Sequence, residues 1–517
     1  MAGKRTIATW PWRALLAVVA TAVAAWFATG VVTQRALGAR MPPLADLTGM
    51  AEPARDAIVA ADARMRTAPS GATVGALARV FHANLRAADA LAAYGVAERT
   101  APSEWRWTYL RALLHEERGE QSLERAALER VIASAPDFGP AWYRLGELAF
   151  KQERLDDATT AYQRARAASA EAPFMPPGVA SRQTVPLGAY AGLGLARVAL
   201  EQGDRPGTLQ RLQALVESYP AFGPARTQLR ALEDPDATRA RAFDAPFVPP
   251  ADPLLDALVA ESRHSDQLLK HAGIATRASD AAWREFLVRR ALSFNPRDLN
   301  VLMEMAAMLQ ATGRPSEALE VLRQHEALAP GDHHTLVEQG RVLADLGRLT
   351  EAEAVLRRAV TVRDAAAEYN LGAVHDLQGR WEEARRRYER ALEINPFHAR
   401  AMNNLGIGFD QRGHTVDAVH LFERAIDISP ASAEFYVNYG SALIQLQRLD
   451  DAVRVLNDAV ALDPRAPNAH NNLGIALAQR GELPRARDEF AAAVELDPRH
   501  ANARRNLERV MSVLRSR

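Results

Sequence analysis

Apolar residues recur along most of this chain at three- and four-residue intervals, the spacing of one helical face, and Gly or Pro breaks the pattern every dozen or so residues. Strand-like alternation is missing, so the pattern predicts helices throughout. The breaks are themselves periodic. Pro296, Pro330, Pro396, Pro430, Pro464 and Pro498 lie 34, 66, 34, 34 and 34 residues apart. The 66 spans two units, one of them two residues short, between His333 and Asp364. Within each unit the eighth residue is small (Ala306, Gly340, Gly372, Gly406, Gly440, Gly474), and so is the twentieth (Ala318, Ala352, Ala384, Ala418, Ala452, Ala486). Bulky apolar residues such as Leu405, Phe409 and Phe422 take the seventh, eleventh and twenty-fourth places. Gly313, Gly347, Gly379, Gly413 and Gly481 mark a turn near the middle, where Gln447 replaces Gly once.

These positions describe two antiparallel helices joined by a short turn. Small residues are expected where the helix axes approach, with large ones beside that contact. Proline ends the second helix because it cannot continue the hydrogen-bond ladder. One such pair cannot bury its own apolar stripe, so successive pairs must stack.

The stretches "AWYRLGELAFKQERLDDATTAYQRA" (Ala141–Ala165) and "AEYNLGAVHDLQGRWEEARRRYERALEINP" (Ala367–Pro396) carry a Trp/Tyr–Leu–Gly, Ala, Tyr, Ala, Pro order. In this the chain resembles the tetratricopeptide repeat family from about Gly71 onward. The resemblance implies an all-α superhelical solenoid whose first helices line a concave groove. Earlier units are looser, at Gly71–Glu104, Trp105–Phe138, Gly139–Ala172 and Ala189–Phe222, with Glu124 and Thr208 where a small residue is usual. A helix near Pro53–Arg66 is expected to cover the first of them. The expected organisation is a first array at 53–232 with a Pro-rich loop at 171–186, a linker at 233–253, a second array at 254–500, and a capping helix at 501–517.

One polar feature sits inside this apolar frame. Sixth positions along the second array are Lys270, Glu304, Glu338, Asn370, Asn404, Asn438, Asn472 and Asn506, so five consecutive units place an amide at one point of the first helix. Asn is a poor helix former, because its side chain competes for the backbone. An amide both donates and accepts, and stacked amides can pair with the backbone of an extended peptide whatever its side chains. Tyr369, Asn403, Val437 and Asn471 precede these residues, and Ala373, Ile407, Ser441 and Ile475 follow three places on, an uncharged setting. The O-linked GlcNAc transferase repeats are similar in this respect. Asn370, Asn404, Asn438, Asn472, Asn506, Asn403, Asn471 and Tyr369 are therefore the candidate peptide-binding residues. The competing reading is that Asn here caps or bridges adjacent helices as part of the repeat. The first array has Ala76, Leu110, Arg144 and Gly194 at the same point.

Composition adds exclusions. Sixty-three basic residues balance 63 acidic ones, so no global field favours nucleic acid, and there is no Cys to form disulfides or thiolate metal sites. All the basic residues but Lys4, Lys151 and Lys270 are Arg, as in GC-rich bacterial coding. No P-loop, GxSxG, HExxH or dinucleotide fingerprint is present. Asp156–Asp157, Glu382–Glu383 and Asp450–Asp451 open second helices, where acidic groups suit the dipole, and His333–His334 sits at a unit junction without further ligands. Neither enzymatic activity, a cofactor nor a metal is expected. Ala14–Thr33 carries no charge and, at about 1.5 Å per residue, matches a bilayer core. Lys4, Arg5 and Arg13 before it, against Arg35 and Arg40 after it, favour a cytoplasmic start (1–13), a membrane span (14–33) and a linker (34–52) leading to arrays in the periplasm. A cleaved signal peptide is the rival. The sequence thus reads as a membrane-anchored bacterial scaffold for a protein partner. The alternative is a non-catalytic subunit of a membrane glycosyltransferase, polysaccharide-export or cytochrome-maturation oxidoreductase complex.

Overall fold

The computed structural model describes residues 46–168, 184–220, 222–233, 250–278, 280–360 and 363–515, with Met41, Leu44, Met175 and Val179 besides. The charge-free stretch at 14–33 lies outside the described residues, as does most of the loop 171–186 and of the linker 233–253. Among the described residues there are 26 helices and no strand, and no helix is long and apolar enough to cross a membrane.

The chain divides into two units, Met1–Leu229 with Pro246–Val301, and Arg230–Ala245 with Leu302–Arg517. In the first, α1 (Glu52–Thr67) covers the pair α2 (Gly71–Ala83) and α3 (Ala87–Thr100). Next come α4 (Trp105–Glu117) with α5 (Gln121–Ser134), α6 (Gly139–Lys151) with α7 (Leu155–Ala167), and α8 (Leu187–Glu201) with α9 (Arg205–Ser218). Helix α10 (Gly223–Glu233) follows, then α11 (Pro253–Glu261), α12 (Ser265–Arg277) and α13 (Ala281–Phe294). Helix α14 (Leu299–Ala311) begins the rest. The second unit continues with α15 (Pro315–Leu328), α16 (His333–Asp345), α17 (Leu349–Ala359), α18 (Ala365–Leu377), α19 (Trp381–Ile394) and α20 (Ala399–Asp410). It ends with α21 (Thr415–Ile428), α22 (Ala433–Gln445), α23 (Leu449–Leu462), α24 (Pro467–Gln479), α25 (Leu483–Leu496) and α26 (Ala501–Arg515). The sequence reading starts a second array at 254; in the structure α11, α12 and α13 group with the first unit.

The repeat spacing acquires a more specific cause. A Cβ on Gly406 would lie 2.8 Å from the Phe422 ring, and one on Gly474 2.7 Å from Phe490. The small eighth residue therefore receives the large twenty-fourth residue of the same pair, and both rings are buried. The same fit joins Gly146 to Tyr162 in the first unit. The shortened unit loses its residues from its second helix. Helix α17 has 11 residues where α19 has 14, and Asp364 then caps α18 and hydrogen-bonds His333 Nε2 at 2.5 Å.

The turn glycines of the second unit adopt positive φ, from 72° at Gly347 to 85° at Gly481, and Gln447 is forced to 57° in their place. A left-handed residue with a Cβ costs about 1–2 kcal/mol, somewhat more than the extra chain entropy of Gly. Gln447→Gly is therefore expected to stabilise the second unit by roughly 0.5–1 kcal/mol, read as a higher urea midpoint with unchanged slope.

Candidate functional site

Helices α18, α20, α22, α24 and α26 are the first helices that carry the five Asn. Asn370, Asn404, Asn438, Asn472 and Asn506 are all half-buried, a shared depth that follows from their shared place beside the packed seventh residue. The Asn residues one place earlier differ. Asn403 is 1% exposed and Asn471 5%, so both lie inside the stack.

Buried amides must find partners, and these find each other. Asn438 Nδ2 donates to Asn403 Oδ1 at 2.9 Å, and Asn403 Nδ2 donates to Asn404 Oδ1 at 3.2 Å. Asn404 Nδ2 in turn lies 3.4 Å from the Tyr369 hydroxyl and 3.5 Å from that of Tyr388. Burial pushes both phenols up, so they stay protonated. The pattern recurs further on. Asn506 Nδ2 donates to Asn471 Oδ1 at 3.0 Å, and Asn471 Nδ2 to Asn472 Oδ1 at 3.2 Å. A fifth-position Asn thus ties the sixth-position Asn of its own unit to that of the next. Where Val437 takes the fifth place the run stops, which divides the ladder in two.

Each amide has two donor hydrogens and two acceptor lone pairs, so these bonds do not exhaust the ladder. Among the described residues, Asn472 Nδ2 and the Oδ1 atoms of Asn438 and Asn506 have no protein partner, and none is a buried unsatisfied atom. Their open valences reach solvent. Asn370, the first rung, makes no side-chain hydrogen bond among the described residues. Tyr369 is half-buried, with its ring 4.8 Å from that of His398. Bridging and an open edge therefore coexist, the buried fifth-position amides fixing the half-exposed sixth-position ones. Among the described residues no cluster of His, Cys, Asp and Glu could hold a metal.

In the first unit the sixth position does something that its sequence does not announce. Gly194 makes room for the Tyr162 ring of the preceding pair. Arg144, on α6, is tied to three groups. Its Nε donates to the Tyr109 hydroxyl at 2.9 Å, its Nη2 to Asp252 Oδ2 at 3.1 Å, and its Nη1 to Glu116. The Tyr109 hydroxyl also donates to Asp252, which is 4% exposed. Burial opposes the Arg144 charge, but Tyr109, Glu116 and Asp252 outweigh it and hold the guanidinium up.

Two buried histidines lie nearby, His82 on α2 and His271 on α12. Burial, helped by the His271 charge at His82 and by the Lys270 charge at His271, pushes them down to about 3 and about 4. Their folded values lie below the unfolded 6.5, so the stability they allow is full above that pH and is lost as pH falls toward 4 and 3. Glu124, raised by burial and Glu116 to about 7, acts in the opposite sense as pH rises from 4.5 to 7. His271→Gln is expected to flatten the acid loss of the first unit between pH 6.5 and 4 while Glu124's contribution persists. Urea midpoints across that range measure it; an unchanged slope would refute it.

Profiles of the tetratricopeptide repeat match residues 76–137, 125–173, 190–221, 300–324, 333–396, 363–431 and 437–501, together more than half of the chain. The chain belongs to the tetratricopeptide repeat family, whose members typically serve as non-catalytic scaffolds for protein–protein contact. Among proteins of curated function none matches it. Several solved structures are similar. An APC/C hetero-tetramer is 12% identical, covering 82% of this chain and 93% of its own, with a TM-score of 0.43. A tetratricopeptide repeat protein of Parabacteroides merdae is 16% identical over 48% of this chain and 98% of its own, with a TM-score of 0.37. The pilF protein of Pseudomonas aeruginosa is 19% identical over 35% and 84%, with a TM-score of 0.34.

Proposed function

We propose that this chain is a non-catalytic scaffold that grips an extended polypeptide through the amide ladder of the second unit. The observation that carries the reading is the half-buried Asn at one position of five successive first helices, braced from behind yet open at Asn438, Asn472 and Asn506. Backbone N–H and C=O groups of an extended chain offer the matching donors and acceptors, and Ala373, Ile407, Ser441 and Ile475 beside the ladder add no charge. The first unit supports the placement, since its sixth-position Arg144 already grips a carboxylate of another segment. The alanine variants must be chosen with the bridging in mind. Asn404 and Asn438 hold the buried Asn403, whereas Asn370 and Asn472 hold less. Asn370→Ala with Asn472→Ala is expected to weaken binding of extended uncharged peptides, selected on an array, at least tenfold with helix content unchanged. Equal affinity would make the ladder purely structural.

On sequence, the same reading places the scaffold at a bacterial inner membrane through Ala14–Thr33, with the repeats outside the cytoplasm. Reporter fusions after Arg40 should be active only outside the cytoplasm; activity inside would reverse the topology.

A further inference from the structure

Helix α11 and the residues that flank it pack on first helices of the first unit, α2 and α4, and reach α6. They sit on the face that a groove ligand would use. Three kinds of contact hold them. At the head, one Asp252 oxygen caps α11 by accepting from the Leu254 and Leu255 amides, both at 3.2 Å, while the other takes Tyr109 and Arg144. Along the middle, Leu258 is 0% exposed and joins the cluster of Leu77, Phe81 and Tyr109, with Leu254 and Leu255 packed against it. At the tail, Glu261 pairs with Arg79, and Asn84 Oδ1 accepts from the Arg263 amide at 3.0 Å. The fit is incomplete beside α6 and α8. A partly open cavity of about 320 Å³, lined by Arg144, Tyr190, Leu255 and Trp283, lies along α11.

We propose that this face of the first unit is a receptor for an acid-capped apolar helix, filled here by the chain's own residues 252–261, and that a partner helix of the same make-up displaces them. The receptor supplies a guanidinium and a phenol at one end, an apolar trough, and Arg79 at the other. It fits a helix with Asp at its cap, apolar residues three, six and seven places on, and an acid nine places on, as Asp252, Leu255, Leu258, Val259 and Glu261 show. Tethering raises the effective concentration of the internal helix to the millimolar range, so an outside helix is held off until the internal one is loosened. This site is separate from the amide ladder, and its failure would leave that reading untouched.

The test is fluorescence anisotropy with a labelled peptide of the chain's own residues 250–264, added to the full chain. Wild type should bind it weakly. The variant Asp252→Asn with Leu258→Ala, altered only in the internal helix, should bind at least tenfold more tightly. Adding Arg144→Ala, or changing the peptide's capping Asp to Asn, should remove that gain. If the double variant loses helix content, Asp252→Asn alone takes its place. A folded variant that binds no better than wild type, or binding indifferent to both the Arg144 and the peptide change, overturns the proposal.

Discussion

Arg144→Ala is expected to destabilise the first unit by about 3 kcal/mol, near the low end of the 3–5 typical when one partner of a buried ion pair is removed. The change strands Asp252, which is 4% exposed and has spent its other oxygen on capping α11. The Tyr109 hydroxyl is fully buried and keeps only Asp252 as its hydrogen-bond partner. Glu116 is more open, with a side chain 38% exposed, and water can replace part of what it loses; this places the figure at the low end. Combining Arg144→Ala with Asp252→Asn should cost less than the sum of the two single changes, because the neutral amide no longer needs the cation. Urea unfolding of the four proteins measures the coupling. Additive losses would mean that the two groups do not interact.

Asn403→Val is expected to cost about 1–3 kcal/mol, the penalty for unmaking buried hydrogen bonds. Valine is the natural choice because Val437 occupies the same place in the next unit. The place therefore tolerates Val, and the loss falls on the Asn438 donor and the Asn404 acceptor that meet at Asn403. Asn472→Ala should cost less, since among the described residues that side chain makes one protein hydrogen bond, accepted from Asn471 Nδ2, against two at Asn403. Thermal or urea unfolding ranks the two. A reversed order would show that the buried fifth-position amide is not the brace.

Much of the fold is legible in the sequence because a repeat is a one-dimensional signal. The 34-residue Pro spacing, the small eighth residues and the turn glycines all reflect contacts within one helix pair. What periodicity shows less well is direction. It pointed to the Asn positions, but Asn403 meets Asn438 from 35 residues away, and only the stacked geometry shows one buried and the other half-open. A small residue is expected where the helix axes approach, and the structure adds that Gly406 there receives the Phe422 ring. Arg144 looked like a departure from the ladder. Its partner Asp252 lies 108 residues on, at the end of a Pro-rich break that has no repeat register. The expected start of a second array at 254 likewise gave no sign that the helix Pro253–Glu261 returns to the first unit.

The central claim is that the second unit grips a peptide by its backbone. Backbone N-methylation removes a peptide's donors and leaves its side chains in place, so it tests this most directly. Array-selected extended peptides should lose at least tenfold in affinity for the full chain when alternate residues are N-methylated, and much less when the same side chains are cut to Ala. Affinity that survives N-methylation but falls with side-chain truncation would contradict the account.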